Sequence, residues 1–200
     1  MRKQLATLAA LVLVAAPSFA SPILSYNDID LAYQHTFFDQ DEGQADLDDG
    51  NGLLLRGRYS PVESFFLETS YTYTDTGVNH SEVGGDLDNH ELRYGVGGYY
   101  NFCDEWHLVG RVGGIHNHLD YHSGQTLDDG YYMGAESRYD YEGKAELAAG
   151  VTYDNVGRDG SWVYDGTVIV PVADSVGVLL NAAIDDETDL VLTAGFRFAL

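Results

Sequence analysis

From residue 28 onward the chain alternates apolar and polar positions with a period of two, in run after run. Ile29, Leu31, Tyr33 and Phe37 alternate with Asp28, Asp30, Ala32, Gln34 and Thr36. Leu53, Leu55, Gly57 and Tyr59 alternate with Leu54, Arg56, Arg58 and Ser60; Phe65, Leu67, Thr69, Tyr71 and Tyr73 with Phe66, Glu68, Ser70, Thr72 and Thr74; Leu92, Tyr94, Val96 and Tyr100 with Glu91, Arg93, Gly95, Gly97 and Tyr99. Successive side chains of an extended chain point to opposite faces, so this pattern predicts strands with one apolar face. Further runs lie at 106–118, 131–140, 145–154, 162–170 and 176–184. A closing run over 189–200 sets Leu190, Leu192, Ala194, Phe196, Phe198 and Leu200 on one face. The total is about ten strands, or eight or twelve if one hairpin is fused or split.

The connections come in two lengths. Short ones at 61–64, 103–105, 141–144 and 171–175 alternate strictly with longer, acidic ones at 39–51, 75–88, 119–129, 155–161 and 185–188. This predicts an all-β, antiparallel, up-and-down order with tight turns at one end and loops at the other. An even strand count returns both termini to the turn end.

Ahead of the first strand, Arg2 and Lys3 precede an apolar stretch over 5–16, then Pro17 and the small-residue site Ser18-Phe19-Ala20. This reads as a signal peptide over 1–20, cut before Ser21, with one domain over 21–200. No other stretch approaches the roughly 18 apolar residues of a spanning helix. The formal charge is -22, and losing Arg2 and Lys3 takes it to -24, since residues 1–20 contain no acid. Such a chain repels nucleic acid. A single cysteine, Cys103, allows no intramolecular disulfide. The hydrophobic fraction of 44% in regular alternation argues against disorder.

Charge sorts by face. Arg56, Arg58, Arg93, Arg111, Arg138 and Arg197 fall on the polar face of predicted strands, as do Glu68, Glu91, Glu136 and Glu146. Inside a narrow closed barrel they would form a ladder of Arg and Glu pairs filling the lumen; on a β-sandwich they would be a solvated outer face. Tyr and Trp gather at strand ends on the apolar face, as headgroup-level rings do. On the barrel reading Val96 faces lipid and Gly97 the lumen, so Val96→Arg is expected to be costly and Gly97→Ser mild.

Three stretches carry a resemblance: Tyr94-Gly95-Val96-Gly97-Gly98-Tyr99-Tyr100, Ala149-Gly150-Val151-Thr152-Tyr153 and Ala194-Gly195-Phe196-Arg197-Phe198. With the signal peptide they resemble the small outer-membrane β-barrel proteins of Gram-negative bacteria, the porin-like and opacity-like group. The last strand is similar to that group's C-terminal assembly signal, with Leu200 where a terminal Phe is usual. The resemblance implies an antiparallel transmembrane β-barrel in the bacterial outer membrane, monomeric, with both termini periplasmic. It also implies insertion by the barrel assembly machinery and contact with outer-membrane lipid and lipopolysaccharide. It implies no single activity. Three classes remain open: a structural or surface-interaction barrel with a charge-plugged lumen and acidic extracellular loops, a small passive pore, and a rim hydrolase acting on protein or lipid.

Candidate chemistry sits at the rim. If the hairpin around 103–105 pairs residues whose numbers sum to 208, His90 faces His118, with His116 two residues along. Three imidazoles there could bind Zn or Cu, or could be polar rim residues touching lipopolysaccharide. Asp39, Asp41, Glu42, Asp46, Asp48 and Asp49 offer hard oxygen ligands for loosely held Ca or Mg, bridging to lipopolysaccharide phosphates, in a spacing that fails the EF-hand pattern. His80-Ser81 and His122-Ser123 fall in predicted loops without a geometry that names a nucleophile, so no catalytic residue and no cofactor are assigned. Cys103, with no activating base in sight, reads as a turn residue.

Overall fold

The computed structural model describes residues 24–38, 47–78, 85–121, 124–157 and 159–200. Ten strands follow in chain order: β1 (Asp28–Phe37), β2 (Leu47–Val62), β3 (Phe65–Val78), β4 (Gly85–Cys103), β5 (Trp106–Tyr121), β6 (Gly124–Tyr141), β7 (Ala145–Val156), β8 (Asp159–Ala173), β9 (Val176–Asp185) and β10 (Leu190–Ala199). Each pairs antiparallel with its sequence neighbours, and β1 pairs with β10 to close the barrel. Both ends of this ladder are thereby hydrogen-bonded and no edge strand is left. The predicted signal peptide over 1–20 and the boundary at Ser21 lie outside the described residues.

The alternation read from the sequence becomes the division between wall faces. Asp28, Asp30 and Ala32 are buried inside, while Ile29, Leu31 and Tyr33 are exposed outside. The outer surface carries Leu53, Leu55, Leu67, Val96, Val112 and Met133, all exposed, as a lipid-facing belt must. Aromatic rings border it. Tyr100, Phe102 and Trp106 touch one another near the turn end, and Tyr131, Tyr153 and Trp162 do so near the other end.

Tight turns close both ends: Gly157 and Thr188 take left-handed backbone, with φ of 70° and 72°, at the end of the predicted loops, and at the other end the connections are two or three residues long. Ser64, Glu142 and Gly143 adopt left-handed backbone there, with φ of 64°, 54° and 69°, which reverses the chain within two or three residues. At the opposite end the strands run far beyond the lengths expected from the sequence. Much of 75–88, 119–129 and 155–161 is paired strand and not loop: β3 continues to Val78, β6 begins at Gly124 and β8 at Asp159. Asp75 faces Asp88 and Thr76 faces Leu87 in unbroken register. Beyond the apolar belt polar residues such as Asp75 and Asp88 take the outward positions too, so the period-two signal fades although backbone pairing does not.

Large inward side chains need room, and glycine on neighbouring strands supplies it. A Cβ built on Gly97 would lie 2.1 Å from the ring of Phe66, and one on Gly95 would lie 2.3 Å from the hydroxyl of Tyr132. The glycine-interrupted strands of the sequence leave recesses that the tips of lumen rings occupy.

Candidate functional site: the barrel lumen

Residues 24–27 precede β1 and bend into the turn-end mouth. The ring of Tyr26, 4% exposed, stacks on Tyr99 at 4.1 Å and on Phe66 at 5.0 Å. Its hydroxyl shares a 3.2 Å hydrogen bond with Nδ1 of His107. The guanidinium of Arg138 sits 4.4 Å from the ring centre and donates to the carbonyl of Ser25 at 3.3 Å. Phe66, Val109 and Tyr99 complete a small apolar cluster around Tyr26.

Beyond this cluster lies a network of charge. Arg138, fully buried, donates two hydrogen bonds to Glu146 at 2.8 and 2.9 Å. Arg197 reaches the same carboxylate at 3.3 Å and binds Asp30 at 2.7 and 3.0 Å. Arg56 also donates to Asp30, at 2.9 and 2.5 Å, while Arg58 holds Asp28 at 3.0 and 2.8 Å. Glu136 stands 3.7 Å from Arg138 and 3.8 Å from Arg111. Charges this far from water persist only with such partners, because each unpaired ion would cost several kcal/mol.

The loop-side half of the lumen contains a cavity of about 320 Å³. On its wall Arg93 binds Glu91 at 2.6 and 3.1 Å and Asp154 at 2.9 Å. Arg111 donates to the hydroxyl of Thr152 at 3.0 Å. Tyr132 donates to Glu68 at 2.7 Å, and Asn181 reaches Asp165 at 3.5 Å.

All ten side chains of the expected ladder therefore project from the inner face, but the pairing is richer than Arg with Glu. Asp28, Asp30 and Asp154 carry much of it and were not expected as partners, although all three occupy polar-face positions of their strands. Glu68, expected to pair with arginine, has none within ion-pair reach among the described residues and takes a tyrosine hydroxyl instead. Tyr26 left no sequence signal, since it stands just before the alternation starts.

At the opposite rim His90 faces His118, as the sum of 208 requires, with rings 6.1 Å apart on the outer surface. Nδ1 of His90 engages the hydroxyl of Tyr71 at 2.7 Å, and Nε2 of His118 lies 3.2 Å from Asp120. His116 turns to Asp129 on the next strand, at 2.5 Å. The expected metal set His90, His116 and His118 does not converge: Nε2 of His90, at 3.9 Å, and Nε2 of His118 both face Asp120, while His116 turns away to Asp129. Among the described residues no three His, Cys, Asp or Glu side chains are placed to share a metal ion. Cys103 is an exposed free thiol at a turn-end hairpin. His80-Ser81, His122-Ser123 and Asp39, Asp41, Glu42 and Asp46 lie outside the described residues.

A closed ten-strand barrel with a greasy exterior and a charged interior defines an outer-membrane barrel, and the comparisons with known proteins agree. The sequence profile of the outer membrane protein beta-barrel domain matches residues 6–199, and the chain belongs to that family. Among solved structures it is similar to the NanC porin, with a TM-score of 0.55 at 8% identity, covering 86% of this chain and 100% of that one. It is also similar to the translocator domain of the autotransporter NalP from Neisseria meningitidis, with a TM-score of 0.51 at 11% identity, covering 86% and 88%. The KdgM porin gives 0.50 at 12% identity, covering 86% and 99%. At these identities the likeness is one of fold. No curated protein matches the sequence.

Proposed function

We propose that this chain is a monomeric surface-interaction barrel, stoppered at its turn end and open toward the cell exterior, and not a passive pore. On this reading the turn end and both termini lie in the periplasm, as short turns do in transmembrane barrels, and the barrel assembly machinery inserts the chain. The acidic loops then stand among lipopolysaccharide phosphates, with Mg or Ca bridging two anionic surfaces.

The observation that carries the reading is the packing of Tyr26 between Tyr99, Phe66 and Arg138 over fully buried ion pairs. Ions crossing the lumen would have to displace that stack and compete with matched charges in a low-dielectric environment. The cavity in the other half favours the rival pore reading. Planar-bilayer recording of the refolded mature chain separates the two. The expected result is a silent bilayer with wild type and measurable conductance with Tyr26→Ala. Steady open-channel conductance by wild type would overturn the stoppered reading.

A further inference from the structure

We infer that the loop-side cavity takes a small organic dication, with Glu68 on one wall and Asp165 on the other receiving its two cationic ends. The inference rests on the stoppered reading, which makes this cavity a blind pocket. The charge ledger inside the barrel carries it. Every lumen arginine has a carboxylate within ion-pair distance: Arg56 has Asp30, Arg93 has Glu91 and Asp154, and Arg111 has Glu136. The converse does not hold. Glu68 accepts only the hydroxyl of Tyr132, and Asp165 only the long contact from Asn181, so neither has a cationic partner among the described residues.

These two carboxylates do not form a cluster. They stand on β3 and β8, which are five strands apart in either direction around a ring of ten, and both line the same cavity. Strands 4.7–4.9 Å apart and tilted by about 40° give a barrel roughly 20 Å across between backbones, which leaves a gap on the order of 10 Å between opposed acidic side chains. One metal ion, bound within about 2.6 Å of its oxygens, cannot touch both. A four-carbon diamine with a charge-assisted hydrogen bond at each end spans a gap of this order.

A further group strengthens the Asp165 wall. Glu136 faces Gly150 in register, and Gly150 faces Asp165, so the two acids flank one side-chainless position. Glu136 is nine-tenths buried, lines the cavity and accepts no hydrogen bond among the described residues, its ion pairs with Arg138 and Arg111 being long, at 3.7 and 3.8 Å. A carboxylate so placed retains unsatisfied acceptor capacity that an ammonium group would fill. An anionic ligand, by contrast, would meet Arg56 and Arg93 already bonded to carboxylates, and at Arg111 a single Nε–H, unpaired among the described residues, beside Glu136.

Calorimetric titration of the refolded mature chain in detergent tests this, with 1,4-diaminobutane, butylamine and MgCl2 as probes. The diamine should bind at least about tenfold tighter than the monoamine, since two charge-assisted contacts replace one. Glu68→Gln and Asp165→Asn, which keep side-chain shape, should each bring the diamine down to the level of the monoamine. Glu187→Gln, in an outer turn, should leave it unchanged. Equal binding of diamine and monoamine by wild type would overturn the inference without recourse to any variant. So would Mg binding that outcompetes the diamine, or diamine binding indifferent to both cavity substitutions. Conductance measured on the same preparation reports separately on the stopper: a conducting barrel that binds diamine sinks that reading alone, and a silent barrel that does not bind sinks only the dication.

Discussion

Glu146 is the side chain whose loss should cost the barrel most. Its carboxylate, 2% exposed, accepts four contacts, two from Arg138 at 2.8 and 2.9 Å and two from Arg197 at 3.3 Å. Glu146→Gln keeps the volume and removes the charge. Arg197 would retain its two-pronged bond to Asp30, whereas Arg138 would be left with Glu136 at 3.7 Å and the carbonyl of Ser25. One buried guanidinium is then poorly compensated, and breaking a buried pair from one side costs about 3–5 kcal/mol. Arg138→Met removes the cation itself and its contact with the Tyr26 ring, for a cost of about 2–4 kcal/mol. In the double variant no orphaned charge remains at this pair, so its cost should fall short of the sum by about 1–3 kcal/mol. Urea unfolding in lipid vesicles, followed by the fluorescence of Trp106 and Trp162, measures all three. Costs that simply add would mean that Arg138 and Glu146 do not act as a pair.

Other expectations follow from the two wall faces. Val96→Arg, on the exposed outer face, should cost about 2–4 kcal/mol in the same unfolding assay if it lies at mid-bilayer, and full tolerance would reassign that face. Gly97→Ser, expected from the sequence to be mild, should instead cost about 1–3 kcal/mol, because its Cβ would enter the Phe66 ring. Gly57→Ala, with nothing within 4 Å of the added carbon, should change stability by less than about 0.5 kcal/mol. In intact outer membrane, chelator should raise protease cleavage within residues 39–51 while the barrel stays heat-modifiable; unchanged cleavage would remove cation bridging.

Much of this architecture was legible because a barrel wall enforces one binary choice at every residue. The parity that put Arg56, Arg93 and Glu136 inside also put Val96 and Phe196 outside, and one misplaced step would have inverted a whole strand. Pairs across one strand boundary were within reach of the same logic: Asp28 faces Arg58, and Asp30 faces both Arg56 and Arg197. A ladder of arginine with glutamate alone leaves these aspartates out, although they occupy the same face of their strand. Arg93 and Asp154 are another matter, since they meet across the lumen from β4 and β7, and sequence spacing carries no information about such a contact. Tyr26 belongs to neither pattern. Its place depends on the mouth left open by Gly97 and filled by Phe66. The three histidines show the limit of register alone, which brought His90 beside His118 but could not say that His90 would bond to Tyr71 or that His118 would lie against Asp120.

Asp30 lies where the first strand meets the last, and it accepts from β2 on one side and β10 on the other. That geometry makes the carboxylate a checkpoint for assembly. Until β10 arrives, Asp30 and Arg56 can stay hydrated in an unfinished lumen. Once the circle closes, Arg197 must be within reach, and water must leave. A slip of one residue would turn Asp30 outward into hydrocarbon, and a slip of two would set Arg197 against Asp28 or Ala32. The observed register is the one that gives Arg197 its two-pronged bond to Asp30 and lets this one carboxylate tie the second strand to the last across the first.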